Sequence, residues 1–306
     1  MSDLQTTPLA VLCSDLHLRE TTPRSRAEPD WYQVMENHLV ALTEAATSLK
    51  APIICAGDVF DKWNPSSELV NFAMYHLPKM YAIPGQHDLR YHSYEERHRG
   101  AYGVLCKAGI ITDLRANEFQ PIVFGNRNHP NLWAWAMPWG KYDLPDAIET
   151  TYDFKLGVLH QYRWSNPNNK YPMADDSSKL ESLFPGLDAL IIGDNHIPWE
   201  LPRILNHGGF IAQNSDQRDY IPHYGVLFAD GHIERSPYNV PEPQWVDEWV
   251  PEAIDQTIAD SLIQELTSLE NTGDTFVDRL RLAIDLEPDF GVRRKLEDIY
   301  QKATNG

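Results

Sequence analysis

The sequence predicts an α/β fold over its first two thirds, and three observations carry that expectation. Short β-branched or Leu-rich runs alternate with longer segments of helical period. The chain has 306 residues, 42% of them hydrophobic and 11% aromatic, enough to build a substantial core. Five of the apolar runs stop abruptly at carboxylate, imidazole or amide side chains.

The runs Leu9 to Cys13, Ile53 to Ala56, Met80 to Ile83, Leu156 to His160 and Ala189 to Ile192 read as buried strands. Between the first two, Val34, Leu39, Leu42, Ala46 and Leu49 mark one face of a helix. Asp30 is its start signal, with Gln33 three residues on. A second helix is expected from Asn64 as cap and Pro65 as first helical residue, through Leu69, Phe72 and Tyr75. Residues 119–139 read as one or two strands with Trp133 and Trp135 on one face. The segment 204–240 reads as antiparallel strands, with a hairpin turn at Asp230-Gly231. Pro241, Pro243 and Pro251 mark a linker over 241–251. Beyond it, Ile254, Ile258, Leu262, Leu266 and Leu269, then Phe276, Leu280 and Ile284, then Val292, Leu296 and Ile299 give three short amphipathic helices. The expected organisation is a main domain over 1–240, the linker, and a helical docking or capping segment over 252–306.

The 26 Lys+Arg against 44 Asp+Glu leave a net charge of -18, which excludes a uniformly basic sleeve for nucleic acid. Any polyanion must then be held by local patches or by metal. The run at 9–13 is too short for a signal peptide, and no apolar run approaches the roughly 18 residues of a membrane helix, so a cytoplasmic chain without a membrane role is expected. Three cysteines are an odd number. Cys13 and Cys55 lie in apolar runs and read as buried thiols rather than a disulfide.

The strand ends carry the chemistry. They deliver Asp15-Leu16-His17, Gly57-Asp58, Gly85-Gln86-His87-Asp88, His160 and Gly193-Asp194-Asn195-His196. In an open α/β sheet, ligands collect outside the carboxyl ends of strands, so these groups should converge on one crevice. Residues at i and i+2 in extended chain share a side, which lets Asp15 and His17, or Asp194 and His196, reach one ion. Each fragment alone is ordinary turn chemistry. The ordered set is harder to obtain by chance.

This set resembles the blocks of the calcineurin-like metallophosphoesterase superfamily across roughly residues 9–235. The stretches 57–61, 84–91 and 158–161 are most similar to SbcD-type (meiotic-recombination-eleven-like) DNA repair nuclease subunits and their phage-encoded relatives. The resemblance implies a metallophosphoesterase β-sandwich flanked by helices, in a bacterial cell or phage-infected host. It implies two divalent metal ions bridged by Asp58. One would be held by Asp15, His17, Asp58 and His196, the other by Asp58, Gln86, His160 and Asp194. His87 would be the catalytic acid or charge stabiliser, oriented by Asp88. Gln86 stands where the family has Asn, and Asp194 where it has His. Both departures fall on the second ion, and the resulting oxygen-rich set favours Mn²⁺, with Mg²⁺ as the alternative.

The implied activity is a metal-dependent phosphodiester hydrolase, a DNA exonuclease or endonuclease subunit of a double-strand-break repair or recombination complex. The implied partners are DNA and an SbcC-type coiled-coil ATPase, with a homodimer as a further assembly. Arg90, Arg97, Arg99, Arg163 and Trp164 are the candidate substrate contacts, and Asp61 a candidate for orienting ligands. Two alternatives stand beside this reading: a phosphatase or cyclic-nucleotide phosphodiesterase with the same metals, and a non-catalytic scaffold with a degenerate second metal site.

Overall fold

The computed structural model describes residues 7–123, 132–143, 153–164, 175–176 and 186–246. In chain order the first half gives β1 (Pro8–Cys13), α1 (Trp31–Leu49), β2 (Ile53–Cys55), α2 (Ser67–His76), β3 (Met80–Ala82), α3 (Ala101–Lys107), β4 (Ile111–Asp113), β5 (Phe119–Ile122) and β6 (Leu132–Met137). There follow β7 (Phe154–His160), β8 (Arg163–Trp164), β9 (Asp175–Asp176), β10 (Ala189–Gly193), β11 (Trp199–Leu201), β12 (Ile204–Asn206), β13 (His223–Phe228) and β14 (Ile233–Pro237).

Two six-stranded sheets form, in the orders β14-β13-β1-β2-β3-β4 and β11-β12-β10-β7-β6-β5, with β8 and β9 as a separate pair. Each large sheet has four parallel strands; the first adds two antiparallel strands at one edge and the second one at each edge. Side-chain alternation along the strands builds three apolar layers. Ala10 and Leu12 of β1 face Leu156, Val158 and Ile191 of the other sheet, while Val11 and Cys13 join Met35, Leu39, Leu69 and Leu105 under the helices. Met137, Leu159, Leu190 and Ile192 form the outer layer of the second sheet.

All five expected strands are present. α1 is capped as expected, with the Asp30 carboxylate accepting from the Gln33 N–H at 3.1 Å. Its chain exits through Lys50 in a left-handed conformation (φ 50°). α2 begins two residues later than expected, because Ser66 rather than Asn64 is the cap: its Oγ accepts from Leu69 N–H at 3.2 Å, which brings Leu69 into the core. Tyr75, expected on the buried stripe, is 86% exposed. β12 runs parallel to β10, so 204–240 is not wholly antiparallel. The hairpin at Asp230-Gly231 forms, with Gly231 at φ +89° and the Asp230 side chain accepting from His232 N–H.

The Pro-rich stretch is held to the body over 241–246. Gln244 exchanges hydrogen bonds with Ala27 N–H and the Glu28 carboxylate, and Val246 N–H donates to Ser25. Arg26 lies buried between the rings of Trp31 and Trp245 with its guanidinium on Glu28, a structural clamp. The compact unit ends at Val246, and the expected helices over 252–306 lie outside the described residues. Among the described residues, no helix is long and apolar enough to cross a membrane. Cys13 and Cys55 are free, buried thiols.

Candidate active site

The loops after β1 and β2 continue to pair beyond their strands. Asp15 N–H donates to Gly57 O (2.9 Å), His17 N–H to Asp58 O (3.0 Å) and Leu18 N–H to Val59 O (3.0 Å). That pairing carries the Asp15 and Asp58 loops to one place. Asp15, His17, Asp58 and Asp194 all adopt left-handed backbone, at φ 52°, 42°, 52° and 85°. Such conformations cost of order 1–3 kcal/mol each for ordinary residues and concentrate where the surrounding structure holds functional groups in place. Glycine makes room at two contacts: a Cβ on Gly57 would lie 2.3 Å from His160 Nδ1, and one on Gly85 would lie 2.1 Å from Asp58 Oδ1.

The side chains converge in three overlapping groups whose ligand atoms lie within 4.8 Å of one another: Asp15, His17 and His196; His17, Asp58 and His87; and Asp15, Asp58 and His160. Asp58 Oδ2 is buried without a hydrogen-bond partner, 3.5 Å from His17 Nε2 and 3.3 Å from His160 Nε2. A buried carboxylate oxygen left in that state is costly unless a cation joins it. Asp194 and Gln86 complete the set by a different route. Gln86 Nε2 donates to Asp194 Oδ1 at 2.6 Å, and His160 Nε2 donates to Gln86 Oε1 at 2.7 Å. Asp194 N–H reaches both oxygens of Asp15, at 3.0 and 3.2 Å.

The donor set fits divalent ions. His160 Nδ1 donates to the Ala56 carbonyl at 2.6 Å, which fixes the ring so that Nε2 faces the carboxylates, the usual arrangement of a ligating histidine. The electrostatics are those of buried carboxylates packed among imidazoles. Burial raises Asp15 to about 6 and also raises Asp194. Burial opposes the charge on His17 and His160, yet the Asp61 contact with Asp58 and Asp15 raises His17 to about 9, and Asp58 foremost raises His160 to about 10. Asp58 stays ionised despite its burial, because His160, His87 and His17 hold its pKa down. His196 is pushed the other way, to about 3, by burial and by the neighbouring His17 charge, and its Nε2 lies 3.0 Å from His17 Nε2.

His87 sits beside this cluster. Its N–H donates to Asp58 Oδ1 (2.9 Å), its ring meets the His17 ring edge-on at 4.9 Å, and its Nδ1 donates to the Asp61 carbonyl at 2.7 Å. The orienting group is therefore Asp61 and not Asp88, a correction to the sequence expectation. Asp88 turns inward from the short 3₁₀ turn at Gln86–Asp88 and accepts from the backbone N–H groups of Val59, Phe60 and Gly85 at 3.0–3.1 Å. It ties the two ligand loops together. Asp61 also places its carboxylate 3.7 Å from His17 Nδ1.

The expected substrate contacts separate. Arg97 is bound to Asp113 (3.1 Å) and Arg99 to Glu96 (3.3 Å). Arg163 donates to Gln161, and its carbonyl accepts from Asn195 and Trp199. Trp164 lies on β8, with its side chain outside the described residues. Arg90 lies 5.4 Å over Trp63 and 4.6 Å over Tyr91, and Arg97 lies 4.1 Å over Tyr94.

Several supports went unread in the sequence. Ser14 Oγ donates to Asp15 Oδ2, and Asn206 donates to the carbonyls of Asn195 and Ile197, fixing the loop that carries His196. Asn206 did leave a signal, a polar residue closing the apolar pair Ile204-Leu205.

No curated protein sequence matches the chain. Solved structures with a similar arrangement include TT1561 of Thermus thermophilus, at 12% identity, covering 76% of this chain and 100% of that one, with a TM-score of 0.44. YfkN from Bacillus subtilis, described as a calcineurin-like phosphoesterase, has 12% identity, 85% and 99% coverage and a TM-score of 0.43. A 5'-nucleotidase assignment from Staphylococcus aureus has 11% identity, 84% and 58% coverage and a TM-score of 0.46. The sequence profile of the calcineurin-like phosphoesterases, enzymes that use divalent metals, matches residues 10–257, so the chain belongs to that family.

Proposed function

We propose that the chain is a dinuclear metal phosphodiesterase acting on DNA, the nuclease subunit of an SbcD-type complex. The observation that carries hydrolysis is the unpartnered, buried Asp58 Oδ2 set between two imidazole nitrogens, with carboxylates and an amide around it. DNA as substrate is supported by the SbcD-like stretches at 57–61, 84–91 and 158–161.

Asp15, His17, Asp58 and His196 would hold one ion, and Asp58, Gln86, His160 and Asp194 the other. Divalent ions there supply charge stabilisation to a phosphoryl group and activate water. The oxygen donors of Asp15, Asp58, Asp194 and Gln86 favour Mn²⁺ or Mg²⁺. The chain's own part begins with His87. Its Nδ1–H is committed to the Asp61 carbonyl, which leaves Nε2 as the atom that exchanges a proton with the leaving oxygen. Asp88 keeps the Asp58 loop and the His87 turn in register through three backbone hydrogen bonds. The helical segment beyond 251 is assigned to the ATPase partner.

The test incubates purified protein with Mn²⁺, Mg²⁺ or Zn²⁺ and labelled duplex DNA, single-stranded DNA, the diester bis-p-nitrophenyl phosphate and the monoester p-nitrophenyl phosphate. Cleavage of DNA and of the small diester is the expected result. Hydrolysis confined to phosphate monoesters would support the second reading, a small-substrate phosphatase, which the charge of -18 favours. No hydrolysis with any divalent ion would leave the scaffold reading.

A further inference from the structure

The loop after β2 and the turn after β3 are joined at the site by the His87–Asp61 hydrogen bond. Two residues beyond Asp61 stands Trp63, and three beyond His87 stands Arg90, so the Cα of Arg90 lies within about 11 Å of that of His87 by chain length alone. Trp63 is fixed by its carbonyl, which accepts from Ala101 N–H at the start of α3 (2.9 Å). Leu89, fully buried, anchors the other side. From these anchors the Arg90 guanidinium lies over both the Trp63 and Tyr91 rings and donates from Nη2 to the Tyr91 hydroxyl at 2.8 Å.

Three features set this cluster apart from a surface ion pair. Arg90 has no carboxylate partner among the described residues, although Arg97 and Arg99, a turn further on, are each bound to one. Its Nε has no acceptor. Tyr91 is 74% exposed, and its backbone is left-handed (φ 55°), an uncommon conformation for an aromatic residue. One face of the Tyr91 ring is covered by Arg90 and the rest is open. An exposed ring backed by a guanidinium that has no carboxylate partner is suited to a nucleobase and its neighbouring phosphate.

We propose that Trp63, Arg90 and Tyr91 form a docking platform for an unpaired nucleobase, with Tyr91 stacking on the base and Arg90 holding the adjoining phosphate. The proposal rests on the phosphodiesterase reading only for the purpose of the platform, and its binding step is independent of hydrolysis. The ligand is a nucleoside phosphate with a free base face, from the frayed end of a nucleic acid or from a free nucleotide.

The experiment uses the full chain in EDTA and follows the anisotropy of a labelled eight-nucleotide thymidine strand and of an abasic strand of equal length. Wild type should bind the thymidine strand roughly 10-fold tighter, within the range of one base stacked on one aromatic ring. Tyr91→Ala should erase that preference, Tyr91→Phe should keep it, and Arg90→Gln should weaken both strands. Competition by thymidine monophosphate at similar concentration would identify a free nucleotide as the ligand; competition by the strand alone would identify a nucleic acid end. Equal affinity for the two strands, no binding of the thymidine strand, or a preference that survives Tyr91→Ala would overturn the platform. Hydrolysis of bis-p-nitrophenyl phosphate in Mn²⁺ is run alongside. Base-dependent binding without hydrolysis removes the enzyme reading and keeps the platform, and hydrolysis with base-independent binding does the reverse.

Discussion

The two halves of the candidate metal centre share Asp58 but are bonded differently. On the Asp15, His17 and His196 side, imidazole nitrogens stand 3.5–3.9 Å from carboxylate oxygens, too far for hydrogen bonds, and the close contact is between the two rings at 3.0 Å. On the other side, Gln86 bridges His160 and Asp194 by bonds of 2.7 and 2.6 Å. The first side is joined by one hydrogen bond between imidazoles, whereas the second is cross-linked by two bonds through one amide. An ion entering the first side has less to displace. We therefore expect the first ion to bind tightly and the second more weakly.

Removing the shared group should erase the distinction. Asp58→Ala is expected to abolish Mn²⁺-dependent hydrolysis, because both ions lose a ligand at once. The fold should survive, since the change gives up one hydrogen bond, from the His87 N–H to Oδ1, and removes a buried Oδ2 that had no partner. Retained activity in a protein with a native melting profile would refute the site. His87 gives the next largest effect. It falls within a group that could hold a metal, with His17 and Asp58, so its role is open to measurement. His87→Ala should lower turnover by on the order of 10²- to 10⁴-fold with metal content unchanged. Loss of a metal equivalent on the first side would make it a ligand instead.

The sequence made the strand ends legible because parallel strands buried on both faces read as continuous apolar runs, so the ligand-bearing residue stands out where each run stops. It did not reveal how Asp15, His17, Asp58 and Asp194 are presented, since left-handed backbone at Asp or His leaves no mark in composition. Asp88 was misread for a related reason. Its adjacency to His87 suggested a pair, but the 3₁₀ turn sends the two side chains different ways, one toward Asp61 and the other under Gly85. Asn64 before Pro65 fits a cap of α2 by residue type, but Ser66 is the cap, and Leu69, whose N–H it holds, is fully buried. Gln86 and Asp194 were each visible as departures, but their direct bond needed the fold.

That bond makes the second half a matched pair, and a double substitution measures it. Gln86→Asn shortens the amide so that it cannot reach Asp194, and the second Mn²⁺ should bind about 10-fold more weakly, the lower end for a lost partner of a metal ligand. Asp194→His should also weaken Mn²⁺ while shifting preference toward Zn²⁺ or Co²⁺. The double variant restores a short amide beside an imidazole and should recover most of the lost affinity. Titration calorimetry of all four proteins gives the coupling. Additive losses would show that the Gln86–Asp194 bond plays no part once the ion is bound, and an unchanged metal preference in Asp194→His would place that residue outside the coordination sphere.

A histidine belonging to neither half provides the control for effects of charge and burial. His38 on α1 donates from Nδ1 to the Val34 carbonyl and packs against Phe210 and Tyr238, and burial lowers its pKa to about 4. Arg26 lowers it further, and Glu28 acts in the opposite sense. Between pH 6.5 and 4 the unfolded chain therefore binds a proton that the folded chain refuses, so the stability associated with His38 is complete above pH 6.5 and falls as the pH drops toward 4. The loss by pH 5 is on the order of 2 kcal/mol, enough to move the melting temperature by several degrees in a unit of this size. Asp15 and Asp88, raised to about 6 and 7, titrate in the same window with the opposite sign, but they do so in wild type and variant alike. His38→Leu should therefore show a smaller fall in melting temperature between pH 7 and pH 5 than wild type, measured in EDTA, with Mn²⁺ binding to both halves of the centre unchanged. An equal fall in the two proteins would mean that His38 is not held neutral by its burial, and altered Mn²⁺ binding would mean that the core beneath the helices and the metal centre are not independent.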